Sequence, residues 1–334
     1  MAHVIFSGIQ PTGSKHLGNY IGAIKQYVAG QDRGGPAIYC IVDLHATTVP
    51  YEPAELRDRV HDTTAILIAA GLDPERCILF RQGDVREHTE LTWLLTSVTP
   101  VGRLDRMHQF RSKSPAQREL APAGLLFYPV LMAADVLAYR AHEVPVGEDQ
   151  REHVELMRDL AKRFNARFGE GVLVVPEHRI PAVGARIRDL QEPDRKMSTT
   201  GGTEQGTVHV LDDPATVLKK FKRAVTDSGT EIVRGDGKAG VTNLIDILAA
   251  VRDVSPETVE EEMRDARGYG DLKVAVAEAV NAELAPVQER YKAIREDAGA
   301  LEDVLAAGAE KARAIAAATL ADVRDAMGVG PFRH

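Results

Sequence analysis

Lys196-Met197-Ser198-Thr199-Thr200 and, far upstream, Gln10-Pro11-Thr12-Gly13 with His16-Leu17-Gly18-Asn19 bring together residue types suited to holding a polyphosphate. The upstream segment follows an apolar run, residues 3–9, that reads as a strand, and it opens into a helical pattern near His16. A strand, a glycine-bearing turn and a helix start aim backbone N–H groups at an anion. Gly8, Gly13 and Gly18 give room and backbone freedom for close approach. Gln10, Thr12, His16 and Asn19 add side-chain hydrogen-bonding groups. Taken alone, the upstream segment also reads as a turn followed by a helix cap. The distant Lys-Met-Ser loop favours the nucleotide reading.

A second chemical signal is Asp135, the only charged side chain between Leu125 and Tyr139. At helical spacing Tyr128, Met132, Asp135 and Tyr139 share one face. A carboxylate buried among such neighbours costs several kcal/mol unless it is hydrogen-bonded or paired. Two donors are open: Arg140 or a backbone group, or the N–H of a ligand.

The elements that would position these residues follow from the apolar periodicity. Residues 37–42 and 77–80 read as strands and residues 53–70 as a helix, an alternation expected of a parallel sheet with covering helices. Ligands of such sheets sit beyond the carboxyl ends of the strands, where residues 8–19 and 43–45 fall. Residues 87–140 are mainly helical, and strand character returns at 144–146 and 172–175 ahead of the Lys-Met-Ser loop. Gly201-Gly202 and residues 235–240 read as flexible joints, and helices are expected over 256–267, 272–295 and 301–327. The expected fold class is α/β. A Rossmann-like parallel-sheet domain spans residues 1–206, with a helical insertion at about 87–140, and an all-α domain spans 207–334.

The 334 residues are enough for two domains, and 44% hydrophobic with 27% charged residues is the balance of an ordinary globular protein. The longest nearly apolar stretch, 125–139, is too short to span a bilayer, and no signal peptide is legible, so a cytoplasmic location is expected. Cys40 and Cys77 lie in apolar runs far apart, as core thiols rather than a disulfide or metal pair. A net charge of −8 argues against a dedicated nucleic-acid-binding protein. Two basic patches, Arg103/Arg106/Arg111/Lys113/Arg118 and Lys219/Lys220/Lys222/Arg223, read as solvated helix faces unless something else points to RNA.

The paired loops resemble the HIGH and KMSKS signatures of class I aminoacyl-tRNA synthetases. More narrowly, Ile5-Phe6-Ser7-Gly8-Ile9-Gln10-Pro11, Met132-Ala133-Ala134-Asp135, Val144-Pro145-Val146-Gly147-Glu148-Asp149-Gln150 and Ala224-Val225-Thr226-Asp227-Ser228 resemble the bacterial tryptophanyl-tRNA synthetases along essentially the whole chain. The resemblance implies activation of tryptophan by ATP, with magnesium travelling on the nucleotide, and transfer to tRNA(Trp) by a homodimer whose helical insertion forms much of the dimer contact. It implies an anticodon-binding role for the C-terminal helices, and RNA contact for the basic patches. Lys196, Ser198 and His16 take catalytic roles, with Met197, Thr199 and Thr200 beside them at the ATP. Gln10, Pro11, Thr12, Gly18 and Asn19 line the nucleotide from the first loop. Gly147, Glu148 and Asp149 lie on its ribose and adenine side, although the acidic pair is equally accounted for as a helix cap. Ile187 matches a position near the adenine.

For the amino acid, the resemblance turns Asp135 into the acceptor for the indole N–H, a donor with no acceptor beside it. Phe6, Gly8, Tyr128, Met132, Val144 and Val146 become pocket walls, and Gln150 and His45 the groups at the substrate's ammonium and carboxylate end. A tyrosine-specific relative, a tryptophan-sensing or RNA-binding regulatory paralogue of weak activity, and a small nucleotidyltransferase are the rival readings.

The chain departs from the family pattern where charge matters, since Thr199 stands in place of the second lysine of Lys-Met-Ser-Lys-Ser. Lys113 or Arg111 could supply the missing cation at the leaving pyrophosphate. With such a substitute in place, Thr199→Lys alters the rate of ATP–pyrophosphate exchange only modestly. A large rise would show an unfilled charge site at Thr199.

Overall fold

The computed structural model describes residues 3–108, 122–180, 187–198 and 202–330, without the side chain of Asp149. Five parallel strands, β1 (Ile5–Ile9), β2 (Ala37–Ile41), β3 (Ile78–Arg81), β4 (Glu143–Pro145) and β5 (Glu177–Arg179), form one sheet in the order β3-β2-β1-β4-β5. The strand order reverses beside β1, which pairs with β2 on one side and β4 on the other. A crevice opens beyond the carboxyl ends at such a switch point. It is bounded here by residues 10–19 after β1 and residues 146–150 after β4.

All five residues of β2 are buried, as a strand covered on both faces requires. The two-residue period sorts neighbours into two cores. Ile9, Tyr39, Ile41 and Leu79 belong to one. Phe6, Ile38, Cys40, Phe80 and Val144 belong to the other. Both cores also take residues from beyond position 206: Phe221, Leu244 and Leu272 in the first, Ala309, Ala316 and Val323 in the second.

Helices Glu87–Thr96, Val101–Asp105 and Ala123–Leu137 fill the described part of residues 87–140. Arg111, Lys113 and Arg118 lie outside the described residues. In the second basic patch Lys220 is no surface charge: its ammonium is buried, donating to the Asp212 carboxylate at 2.6 Å and the Thr207 carbonyl at 2.7 Å.

Two expected elements change. Residues 172–175 form no strand, because Gly169 and Gly171 take left-handed φ values and the Asn165 side chain brackets the main chain of Leu173 with bonds of 2.8 and 2.9 Å. The strand lies at Glu177–Arg179, a polar edge segment with no apolar run to betray it. A helix at Ala239–Arg252 replaces part of the expected glycine joint, and Gly240 lets its first turn press against the Val225 carbonyl.

The long helix Ala298–Met327 returns to the sheet and covers edge strand β3. Gly308 makes this possible, since a Cβ there would collide with the Leu79 carbonyl. Arg81 fixes the contact with bonds of 2.9 and 3.1 Å to the two Glu302 oxygens. Gly308→Val is expected to cost about 3 kcal/mol by overpacking. Gly102→Ala, in open space on another helix, should be neutral or slightly stabilising. Thermal melts of both variants check this, and an unchanged midpoint for Gly308→Val would remove the contact from the account.

Candidate active site

The first loop leaves β1 at Ile9, turns through Gly13 at φ +59°, and enters a helix at Leu17. His16 caps that helix reciprocally with Asn19: the His16 Nδ1 accepts from the Asn19 N–H at 3.3 Å, and the His16 N–H donates to the Asn19 side chain at 3.2 Å. The helical turn therefore accounts for both side chains as well as the nucleotide reading does. Burial, reinforced by His209, Lys196 and Lys15, lowers the His16 pKa to about 4, so the imidazole is neutral at physiological pH. Pro11 is buried, while Gln10 is exposed and Thr12 partly so.

The second loop is built on main-chain bonds. Asp189 and Arg195 join at 3.0 Å, and the Met197 N–H donates to the Ile187 carbonyl at 3.0 Å, so the segment folds back as a narrow hairpin. Ile187 and Met197 are buried in the first core, and Lys196 stays at the surface. Asp189, itself buried, accepts from the N–H groups of Gln191, Glu192 and Thr203 and so ties both ends of the loop. The Ser198 carbonyl accepts from Gly202 and Thr207. Thr199 and Thr200 lie outside the described residues.

The fold brings the two loops into contact. A side chain on Gly18 would sit 3.6 Å from the Ile187 Cβ and 3.0 Å from the His16 ring, and His16 pairs with His209 as an isolated bridge. Lys15, His16, Lys196 and His209 thus cluster where the two loops meet, with Lys15 and His16 buried and Lys196 exposed. Such a cluster beside a helix start can hold a triphosphate and stabilise charge developing on it.

After β4, Glu148–Gln150 forms one turn of 3-10 helix, and Arg151–Phe168 follows. Glu148 pairs with Arg151 at 2.8 Å, and the Asp149 side chain lies outside what the structure describes. Gly147 accepts through its carbonyl from the Gln150 N–H at 3.0 Å.

Asp135 is fully buried on the helix Ala123–Leu137, and neither expected protein donor satisfies it, because Arg140 pairs with Asp322 instead. Three side chains do. His88 Nδ1 and Gln82 Nε2 donate to Oδ1 at 2.6 and 2.7 Å, and His45 Nε2 donates to Oδ2 at 2.8 Å. The Tyr139 hydroxyl lies 2.6 Å from His88 Nε2. An ionised carboxylate only accepts, so His88 carries its hydrogen on Nδ1 and its Nε2 accepts from Tyr139. Burial alone would raise the Asp135 pKa, but the hydrogen bonds from His45 and His88 hold the carboxyl below the usual range.

Around this group the expected pocket residues cluster unevenly. Phe6 is buried and stacks on Tyr139 with centroids 5.2 Å apart. Tyr128 meets His45 edge-on at 6.2 Å and its hydroxyl bonds His153 at 2.7 Å. Met132 and Val146 are partly buried against the core that contains Val144. Gly8 is open at the end of β1, and Gln150 is half-buried. Sequence reasoning missed Gln82 and His88; Gln82 directly follows β3 and His88 stands on the next helix, and neither carries a local sequence mark.

The family model for class I tRNA synthetases of the W and Y type matches residues 2–285, which hold both loops and the Asp135 cluster. The chain belongs to that family. The synthetase is 48% identical over 334 residues to tryptophan–tRNA ligase 2 of Streptomyces avermitilis, an alignment covering 99% of this chain and 98% of that one. The tryptophanyl-tRNA synthetase of Mycoplasma pneumoniae superposes with a TM-score of 0.90 at 34% identity, covering 99% of each chain. That of Campylobacter jejuni, complexed with ADP and tryptophan, gives 0.78 at 31% identity, covering 98% of this chain and 100% of that one.

Loss of one donor from the buried carboxylate should be measurable. His88→Leu strands the Tyr139 hydroxyl and one bond of Asp135, and is expected to cost the synthetase about 2–4 kcal/mol. Denaturant unfolding at neutral pH tests this, and a loss no larger than that of a surface substitution would mean the cluster is not a stabilising unit.

Proposed function

We propose that this synthetase is a tryptophan–tRNA ligase: it joins tryptophan to ATP as tryptophanyl-adenylate, releasing pyrophosphate, then transfers the tryptophan to the 3′ end of tRNA(Trp). The observation that carries the reading is the convergence of the Gly18 and Ile187 loops on one basic cluster, in a chain 48% identical to a tryptophan–tRNA ligase. The substrate carboxylate attacks the α-phosphorus directly, so no nucleophilic side chain is required. Positioning, and stabilisation of charge on the phosphate oxygens, supply the catalysis. Lys196 and the neutral His16 suit the leaving pyrophosphate, with Ser198 beside them, while Gln10, Thr12, Asn19 and residues 147–149 frame the nucleotide. Magnesium arrives with ATP; among the described residues no group of three or more His, Cys, Asp or Glu is arranged to hold a metal.

Tryptophan is assigned to the crevice bounded by Gly8, Tyr128, Met132 and Val146, with Asp135 beneath it as the polar determinant. His45 and Gln82 already occupy that carboxylate, so the same hydrogen bonds that fix its charge also fix its direction. The homodimer reading draws support from Trp93, Val101 and Phe127, three large apolar side chains exposed on the helices of residues 87–137. The C-terminal helices would meet the anticodon. Among the described residues no helix is long and apolar enough to cross a membrane, in keeping with action in the cytoplasm.

Amino-acid-dependent ATP–pyrophosphate exchange without tRNA tests the assignment. Exchange is expected with tryptophan and not with tyrosine. Asp135→Asn should raise the KM for tryptophan about tenfold or more while changing that for ATP far less, since a mismatched polar partner discriminates strongly. Equal losses for both substrates would make Asp135 purely structural, and tryptophan binding without exchange would favour a regulatory paralogue, with Thr199 the first residue to examine.

A further inference from the structure

Lys15 lies within the first loop, yet its side chain turns inward and is only 5% exposed. Its ammonium donates to the Gln10 carbonyl at 2.8 Å and the Thr12 carbonyl at 3.4 Å. The left-handed Gly13 closes the turn between these acceptors and the lysine. The main chain on either side is anchored as well: the Lys15 carbonyl accepts from Val210 at 2.9 Å, and the Leu17 N–H donates to Val208 at 2.8 Å. A buried ammonium is expensive unless something compensates it. Here main-chain oxygens of the loop do so.

The charged groups around Lys15 are Arg59 and Asp62, from the helix Pro53–Ala69, with His16 beside it and His209 across the bridge. Arg59 reaches the Ser14 hydroxyl at 3.4 Å. The Asp62 carboxylate is shared, accepting from the Tyr291 hydroxyl at 2.9 Å and Arg295 at 2.7 Å.

We propose that Lys15 is a positioning residue for the nucleotide: its buried ammonium draws the Gln10 and Thr12 carbonyls inward and keeps their lone pairs from facing the triphosphate. The inference rests on the ATP reading of the loop. A carbonyl turned toward a phosphate oxygen repels it, and in a poorly solvated turn that repulsion is weakly screened. The protonated lysine prevents this; a neutral one binds the two carbonyls less strongly. Burial, with Arg59 acting in the same direction and Asp62 opposing, brings the Lys15 pKa down to about 8. The strap is therefore complete below that value and is lost as pH rises through it.

The test is ATP–pyrophosphate exchange by the full chain at saturating tryptophan, with ATP varied from neutral to alkaline pH, for the wild type and Lys15→Met. At neutral pH the variant's KM for ATP is expected to rise about tenfold, as loss of a charge-assisted contact allows, with the KM for tryptophan nearly unchanged. The wild-type KM for ATP rises with a midpoint near pH 8, and that of Lys15→Met stays flat across the same range. A variant with wild-type KM for ATP and only a lowered melting temperature would make Lys15 structural and overturn the proposal. If the variant does not fold, the wild-type profile decides alone, a flat profile overturning it. Absence of any exchange by the wild type would instead remove the ATP reading, and this inference with it.

Discussion

One buried negative charge constrains much of this molecule. Asp135 sits in an apolar helix where an unpaired carboxylate would cost several kcal/mol, and its donors come from different elements: His45 after β2, Gln82 after β3, and His88 from the helical layer. The carboxylate is satisfied only if those elements are all in place. A single desolvated charge therefore couples the register of two strand ends to the seating of the helix Ala123–Leu137. Tyr139 and Phe6 extend the coupling back to β1.

The same logic, with opposite sign, governs the other end of the crevice. There the buried charge is the Lys15 ammonium, and the compensating oxygens belong to the main chain. A buried carboxylate at Asp135 and a buried ammonium at Lys15 thus place opposite charges at separate points of the fold, each fixed by its own hydrogen bonds. Electrostatic preorganisation of this kind needs no reorganisation at the moment of reaction.

Four strands of the sheet, both loops and Asp135 were legible in the sequence because each leaves a local mark: an apolar run, a glycine turn, or a lone charge in an apolar helix. What the sequence hid is relational. The partners of Asp135 come from 47, 53 and 90 residues away along the chain, and nothing local to Gln82 or His88 announces them. β5 escaped because an edge strand of Glu, His and Arg has no hydrophobic alternation. The helix Ala239–Arg252 escaped because Gly240 reads as a breaker, whereas its missing side chain serves a close backbone approach. Lys220 likewise reads as part of a basic patch until its partner Asp212 is seen.

The closure of β3 by the helix Ala298–Met327 carries a consequence for biogenesis. An uncovered edge strand offers unpaired N–H and C=O groups to any neighbouring chain. During synthesis β3, with its sequence Ile-Leu-Phe-Arg, leaves the ribosome long before the helix that seals it. The sheet thus passes through a period in which its outer strand is complete but open, and domains that fold from the amino end while awaiting a late segment are exposed to misassembly in that interval. Protection of that strand edge is therefore a late event in the history of the chain, set by the distance in sequence between β3 and the helix that covers it.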